Sequence, residues 1–224
     1  MLPEMQEARY GHALVFAEEE VYAIGGVGRN HLPLSSVEKI HVISHRWRYT
    51  PDMPTPRAQA KACASRRTRS IYVIGESDDR RGSASIECFS LDAGVWNVLP
   101  FLLKQEYKSN RTHLLLVDEE YLMPPVTRQI DPYDPGDKLL VVCYDNIVHP
   151  APDVQFVSVG GAFAEDIKYD KGTSTVSTYH KRCILYDKRT KKVVAFSQSN
   201  PLEVDYMDLD EGLYRWKSFK FVAR

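Results

Sequence analysis

The chain has 224 residues and a mass of 25.6 kDa, with 43% hydrophobic and 26% charged residues, a balance that excludes intrinsic disorder and permits a sizeable core. Lys plus Arg number 29 against 30 Asp plus Glu, a net charge of −1, so no global basic field exists to hold nucleic acid or an anionic membrane. The longest apolar run, Leu139 to Tyr144, is six residues, against the roughly 20 that a membrane helix needs, and a start carrying Glu4 and Glu7 lacks a basic-then-apolar secretion signal.

In chain order, the sequence is a series of short strand signals broken by turn residues. Leu14-Val15-Phe16 is followed by Val21-Tyr22-Ala23-Ile24, which ends on Gly25-Gly26. Val27 to Ser35 reads as a loop holding Arg29, Asn30 and His31, after which come Val37-Glu38 and Trp47. His41 and His45 lie on a stretch that reads as strand, where period two puts them on one face about 13 Å apart, too far to share a metal. Arg66-Arg67-Thr68-Arg69 falls at a predicted hairpin turn, where a solvated turn is favoured over a nucleic-acid or nuclear-import signal. Ser70 to Ile74 is the next strand, and Ser77 to Ser83 a loop with Asp78, Asp79, Arg80 and Arg81. Leu114 to Val117, Leu139 to Tyr144, Lys181 to Asp187, Val193 to Ser197 and Leu202 to Tyr206 continue the pattern. Between them, Val126 to Asp137 is a long loop with Arg128, Asp131, Tyr133, Asp134 and Asp137. No long 3.6-period amphipathic stretch interrupts the series.

Chemistry-bearing motifs are sparse. Cys63, Cys88, Cys143 and Cys183 are widely spaced, which argues against a zinc site of close cysteine pairs or a dense disulfide scaffold and for reduced, mostly buried thiols in a cytoplasmic or nuclear protein. The sequon Asn110-Arg111-Thr112 matters only in the secretory pathway. Asp131, Asp134 and Asp137 lack the alternating ligands and terminal Glu of a calcium loop. Gly25-Gly26-Val27-Gly28 lacks the Lys-Ser/Thr of a P-loop, Gly160-Gly161 leads into no phosphate-binding pattern, and no Gly-x-Ser-x-Gly elbow occurs. No cofactor is therefore expected.

An internal repeat organises the strands. Val21-Tyr22-Ala23-Ile24-Gly25-Gly26 reappears as Ile71-Tyr72-Val73-Ile74-Gly75-Glu76, fifty positions later. Val37-Glu38 returns as Ile86-Glu87 and Trp47 as Trp96, both 49 positions on, while Met53-Pro54-Thr55-Pro56-Arg57 echoes Met5-Gln6-Glu7-Ala8-Arg9, 48 positions earlier. Two weaker copies follow. In one, Arg111-Thr112-His113 leads into Leu114 to Val117, Glu120 to Met123 stands for the doublet strand, Pro124-Pro125 for the glycines, Cys143-Tyr144 mirrors Cys88-Phe89, and Phe156 substitutes for the Trp. In the other, Lys181 to Asp187 is the first strand, Val193 to Ser197 the second, Leu202 to Tyr206 the third, and Tyr214 or Trp216 holds the Trp position.

These landmarks, an Arg before the first strand, a Gly-Gly doublet, a Glu-bearing strand and a spaced Trp, resemble the kelch repeat, specifically over residues 5 to 101 and with a period of about 50. The resemblance implies an all-β, kelch-type β-propeller or partial propeller, about four blades of four antiparallel strands. One domain is expected over 1–224, with repeats at about 5–52, 53–101, 107–159 and 179–222. Within it, Arg9 and Arg57 are expected to pair with acidic or carbonyl groups between blades. Trp47 and Trp96 are expected to bury aromatic area there. Four repeats against the six blades common in the family suggest a small ring or, preferably, an open arc. Its edges would be completed by self-association, another chain or further sequence.

The resemblance also implies a function. Kelch propellers take ligands on loops between second and third strands, which here carry Arg29, Asn30, His31, Asp78, Asp79, Arg80, Arg81, Arg128 and Tyr133, with Gln198 to Asn200 in a fourth loop. Gly28-Arg29-Asn30 after the doublet is similar to adaptors whose Arg and Asn contact acidic degrons. The expectation is a non-enzymatic module binding a protein or peptide, with no nucleic acid and no membrane, and with substrate recognition for a cullin-type ubiquitin ligase as a possible role. The alternative is a kelch-fold enzyme of oxidase or sugar-isomerase type, whose site would need convergent titratable groups in a pocket.

Overall fold

The computed structural model describes residues 3–78, 84–103, 112–117, 138–143, 153–158, 163–166, 181–187, 189–197, 203–209 and 216–220. Every regular element among them is a β-strand. The first sheet holds β1 (Ala13–Ala17), β2 (Glu20–Ile24), β3 (Val37–His41) and β4 (Trp47–Thr50); the second holds β5 (Ala58–Ser65), β6 (Ser70–Glu76), β7 (Ser85–Ser90) and β8 (Val95–Leu102). The third holds β9 (Thr112–Val117), β10 (Lys138–Cys143), β11 (Asp153–Ser158) and β12 (Phe163–Asp166); the fourth holds β13 (Lys181–Asp187), β14 (Lys192–Ser197), β15 (Glu203–Asp208) and β16 (Trp216–Lys220). Each sheet is an antiparallel meander, and first strands of successive sheets lie side by side: β1 by β5, β5 by β9, β9 by β13.

The core lies between sheets. Ala13, Ala17, Tyr22, Ile24 and Val37 of the first sheet meet Ile71, Val73 and Phe89 of the second. On the second sheet's other face, Tyr72, Ile74 and Ile86 meet Leu114, Leu139 and Val141 of the third. The sequence of β6 follows from this position. Both its faces are covered, so it reads as the unbroken run Ile71-Tyr72-Val73-Ile74 instead of alternating. Fully burying each such side chain contributes roughly 1.5–3 kcal/mol. Phe89 also packs on Trp96 with ring centroids 4.9 Å apart.

The repeat landmarks close each of the first two sheets on itself. Arg9 donates from Nη1 to the carbonyls of Gly25 (3.0 Å) and Ser36 (2.8 Å), and from Nη2 to Glu38 Oε1 (2.8 Å). Arg57 repeats the pattern with the Gly75 carbonyl (3.2 Å), Ser85 Oγ (2.8 Å) and Glu87 Oε2 (3.2 Å). All four charged side chains are fully buried. The expectation that these arginines pair between blades is corrected: each binds the glycine and glutamate of its own sheet. The tryptophans act similarly. Trp47 Nε1 donates to the Pro3 carbonyl at 3.0 Å and Trp96 Nε1 to the Pro51 carbonyl at 2.8 Å, so each last strand ties down the segment leading into its own sheet. Of the two, Trp96 packs against the cluster between the first and second sheets.

The third sheet departs from the alignment. Leu139 to Cys143, matched to a third strand, is the second strand β10, paired to β9 on one side and β11 on the other. Phe156 therefore lies on the third strand, and the sheet extends to Asp166, beyond 159. Glu120 to Met123 lies outside the described residues. The cause is a long connection, 118–137, inside the first hairpin, where the other copies have short turns. In the fourth sheet Met207 pairs with Trp216, as Ile40 pairs with Trp47 and Phe89 with Trp96. Trp216, not Tyr214, thus holds the Trp position. The stretch from His41 to His45 is also not extended: His41 ends β3, and His45, at φ 52°, donates its N–H to the His41 carbonyl across a turn.

Candidate interaction site

The connection from β2 to β3 begins at Gly25 and Gly26, with φ of 60° and 97°, a left-handed conformation that glycine adopts without steric cost. A Cβ on Gly25 would lie 2.6 Å from the Arg57 carbonyl oxygen, so the doublet also permits close approach of the next repeat. The approach is used. Gly26 N–H donates to the Arg57 carbonyl (2.8 Å), and Arg57 N–H to the Leu34 carbonyl (3.0 Å). Val27 and Tyr10 exchange N–H···O bonds of 2.8 and 3.1 Å. The base of the loop is thus wired to both flanking segments.

Its tip is a compact turn. Gly28 N–H donates to the Leu32 carbonyl (3.0 Å), His31 N–H to the Gly28 carbonyl (3.0 Å), and Leu32 N–H to Asn30 Oδ1 (3.1 Å). His31 sits at φ 60°. Arg29, Asn30, His31 and Leu32 all project as exposed side chains, and Arg29 forms no ion pair among the described residues. Arg29 and Asn30 line a cleft of about 810 Å³ whose opposite wall is the segment Glu4 to Arg9. That wall is itself fixed. Gln6 and Glu7 donate their backbone N–H groups to the Glu38 carboxylate at 2.7 and 3.0 Å, and Glu7 accepts from Ser36 Oγ and from Arg9 Nη2 (3.3 Å). Nearby, burial and the Arg9 charge hold the His12 imidazole below its ordinary pKa and favour its neutral form.

The structure places Arg29, Asn30 and His31 together on one rigid tip. Asp78 is exposed on the connection after β6. Asp79, Arg80, Arg81, Arg128, Tyr133 and Gln198 to Asn200 lie outside the described residues. Arg128 and Tyr133 nevertheless need a correction of position. In sequence they fall between β9 and β10, the first and second strands of their sheet, and not between a second and a third strand. Sequence reasoning missed the wall from Glu4 to Ala8 and the exposed apolar Leu32. The only signal for the wall was its place in the repeat, before Arg9.

Among the described residues no cluster of His, Cys, Asp and Glu could hold a metal ion, and no helix is long and apolar enough to cross a membrane. Cys63 and Cys88 are half-buried thiols packed against the cluster between the second and third sheets. What the geometry offers is a rigid, polar, cation-bearing tip beside a cleft.

Fold and repeat landmarks define an all-β chain of the kelch-type propeller class. The family model of the Kelch motif matches residues 8–54, the span of the first sheet with its Arg9 clamp. A protein of Arabidopsis thaliana named as an F-box/kelch-repeat protein is 30% identical over 131 residues, 58% of this chain. The chain spans about a third of that relative's length, 33%. In three dimensions the chain is similar to the solved structure of YjhT, with a TM-score of 0.64 at 11% identity, covering 99% of this chain and 68% of that one. The chain thus carries a Kelch motif in its first sheet and shares the fold of a kelch-type propeller.

Proposed function

We propose that the chain is a protein-interaction module that takes an acidic peptide or protein segment on the β2–β3 tip. The observation that carries this reading is the Arg29-Asn30 pair, exposed beside the cleft on a loop whose base is held by backbone hydrogen bonds. A guanidinium with no ion pair among the described residues, on a preorganised loop, is suited to carboxylate recognition, because little ordering entropy remains to be lost on binding. Asp78 and, by position, Asp79, Arg80 and Arg81 would extend the same rim from the second sheet. Substrate recognition within a cullin-type ubiquitin ligase is the finer reading. It is supported by the name of the Arabidopsis relative, which joins an F-box to kelch repeats.

The test is quantitative affinity capture with the wild-type chain and an Arg29→Glu/Asn30→Ala variant, after circular dichroism has verified that the variant folds. The expected result is at least about a tenfold loss of a defined set of captured proteins, enriched in acidic segments. An unchanged set of partners would refute the assignment of this tip.

A further inference from the structure

The connection that carries Arg29 is set between two segments with one shared feature. Trp47 Nε1 binds the Pro3 carbonyl and Trp96 Nε1 the Pro51 carbonyl. Pro3 and Pro51 therefore hold one position in the repeat, and Glu4 and Asp52 the next. Both carboxylates are exposed, and neither forms a hydrogen bond or ion pair among the described residues. The main chain beside each is anchored by other groups. Gln6 and Glu7 give their N–H groups to Glu38. Met53 N–H donates to the Ser35 carbonyl at 2.9 Å, and the Met53 side chain is buried. Each acid thus stands on a fixed stretch of chain that it does not help to hold.

Both segments meet the β2–β3 connection. In the first, Tyr10 pairs with Val27, and the stretch Glu4 to Arg9 shares the cleft with Arg29 and Asn30. In the second, Met53 and Arg57 donate their N–H groups to Ser35 and Leu34, at the far end of the same connection. One exposed guanidinium therefore lies between two segments that each carry an exposed carboxylate. Glu4 and Arg29 line one cleft and form no ion pair with each other, so both stay available to a bound chain. Asp52 lies between two sheets of the chain, so the pattern does not depend on Glu4 alone.

Resting on the reading of the β2–β3 tip as a peptide site, we propose that the segment it takes is of mixed charge. An acidic residue sits on Arg29, and basic residues beside it face Glu4 and Asp52. Glu4 and Asp52 are then specificity-determining residues. Exposed ion pairs add little affinity each; the larger effect is discrimination, because a purely acidic segment brings like charges against both carboxylates.

The experiment is selection on the full chain, at low salt, from a displayed random library of peptides of about 12 residues, roughly 40 Å when extended. Wild type is expected to enrich peptides in which an acid is flanked by Lys or Arg, and a selected peptide is then measured by fluorescence anisotropy. Glu4→Lys/Asp52→Lys is expected to weaken its binding at least about tenfold at low ionic strength. Circular dichroism should be unchanged, since neither side chain holds the fold. Replacing the basic residues of that peptide by Glu should reverse the preference, so that the altered peptide binds the double variant more tightly than wild type. Arg29→Glu separates the two readings, because it should remove binding of every acid-bearing peptide whatever flanks the acid. Enrichment of acids without bases overturns the mixed-charge inference and leaves the tip assignment standing. A selected peptide that the double variant binds as tightly as wild type does the same. A selection that enriches no acidic peptide, or peptides indifferent to Arg29→Glu, overturn both.

Discussion

The first and second sheets carry the same clamp in different states of completion. Around Glu38, both carboxylate oxygens are used: Oε1 receives Arg9 and Glu7 N–H, and Oε2 receives Gln6 N–H. Around Glu87, Oε2 receives Arg57, while Oε1 is buried with no hydrogen-bond partner among the described residues. Pro54 stands in the repeat where Gln6 stands, and proline has no N–H to give. The guanidinium is complementary: Arg57 Nε is used on Glu87, whereas Arg9 Nε is buried without a partner among the described residues. One architecture thus tolerates an unfilled polar atom at either end of the pair. The first repeat secures its glutamate through backbone amides, and the second relies on the arginine alone among the described bonds.

The largest expected effect follows directly. Arg57→Ala strands a buried Glu87 carboxylate and is expected to cost about 3–5 kcal/mol, the range for breaking a buried pair from one side. Arg9→Ala should cost about 1–2 kcal/mol less, because the Gln6 and Glu7 amides still hold Glu38. Urea denaturation followed by circular dichroism measures both, and equal losses would erase the distinction between the clamps.

A second test lies on the far side of the second sheet. There His113 on β9 is pushed down to about 4, first by burial and then by the Lys61 charge. Above the unfolded value near 6.5, both states are neutral and the group adds no pH dependence. As pH falls from about 6.5 toward 4, the unfolded chain takes up a proton that the native histidine refuses, so stability drops on the order of 2–3 kcal/mol. His113→Gln should flatten that part of the pH–stability curve. A wild-type curve with the same slope as the variant would refute the half-buried, neutral state of His113.

The smallest effect sharpens the opening contrast. Pro54→Ala restores an N–H where Gln6 supplies one to Glu38. A charge-assisted hydrogen bond of about 1.5–3 kcal/mol, less about 0.4–1 kcal/mol for the lost rigidity, predicts a net gain of about 1 kcal/mol. A lower midpoint in thermal denaturation would mean that Glu87 Oε1 cannot be reached from that side.

Much of this fold is legible in the sequence. Arg9, Gly25-Gly26, Glu38 and Trp47, with Arg57, Gly75, Glu87 and Trp96, marked two sheets, because buried ion pairs and glycine-only turns admit few alternatives. The direction of the arginine bonds was not legible, since spacing alone cannot say whether Glu38 lies in the same sheet or the next. The third sheet was misassigned because Leu139 to Cys143 is equally apolar as a second or third strand, and only its pairing to both β9 and β11 decides. At the site, Arg29 and Asn30 were found from their place after the doublet. The wall from Glu4 to Ala8 was hidden because it is held by main-chain amides, which leave no side-chain signature.

The tryptophan hydrogen bonds to Pro3 and Pro51 have a temporal meaning as well. A chain emerges from the ribosome at roughly 5–20 residues per second, so the lead-in segment of each repeat waits seconds for the indole that fastens it. Sealing therefore proceeds in order from the amino end, with the first repeat latched before Trp96 has been made. Nascent chains arrested just before and just after Trp47 has left the exit tunnel would differ in protease resistance at their amino end.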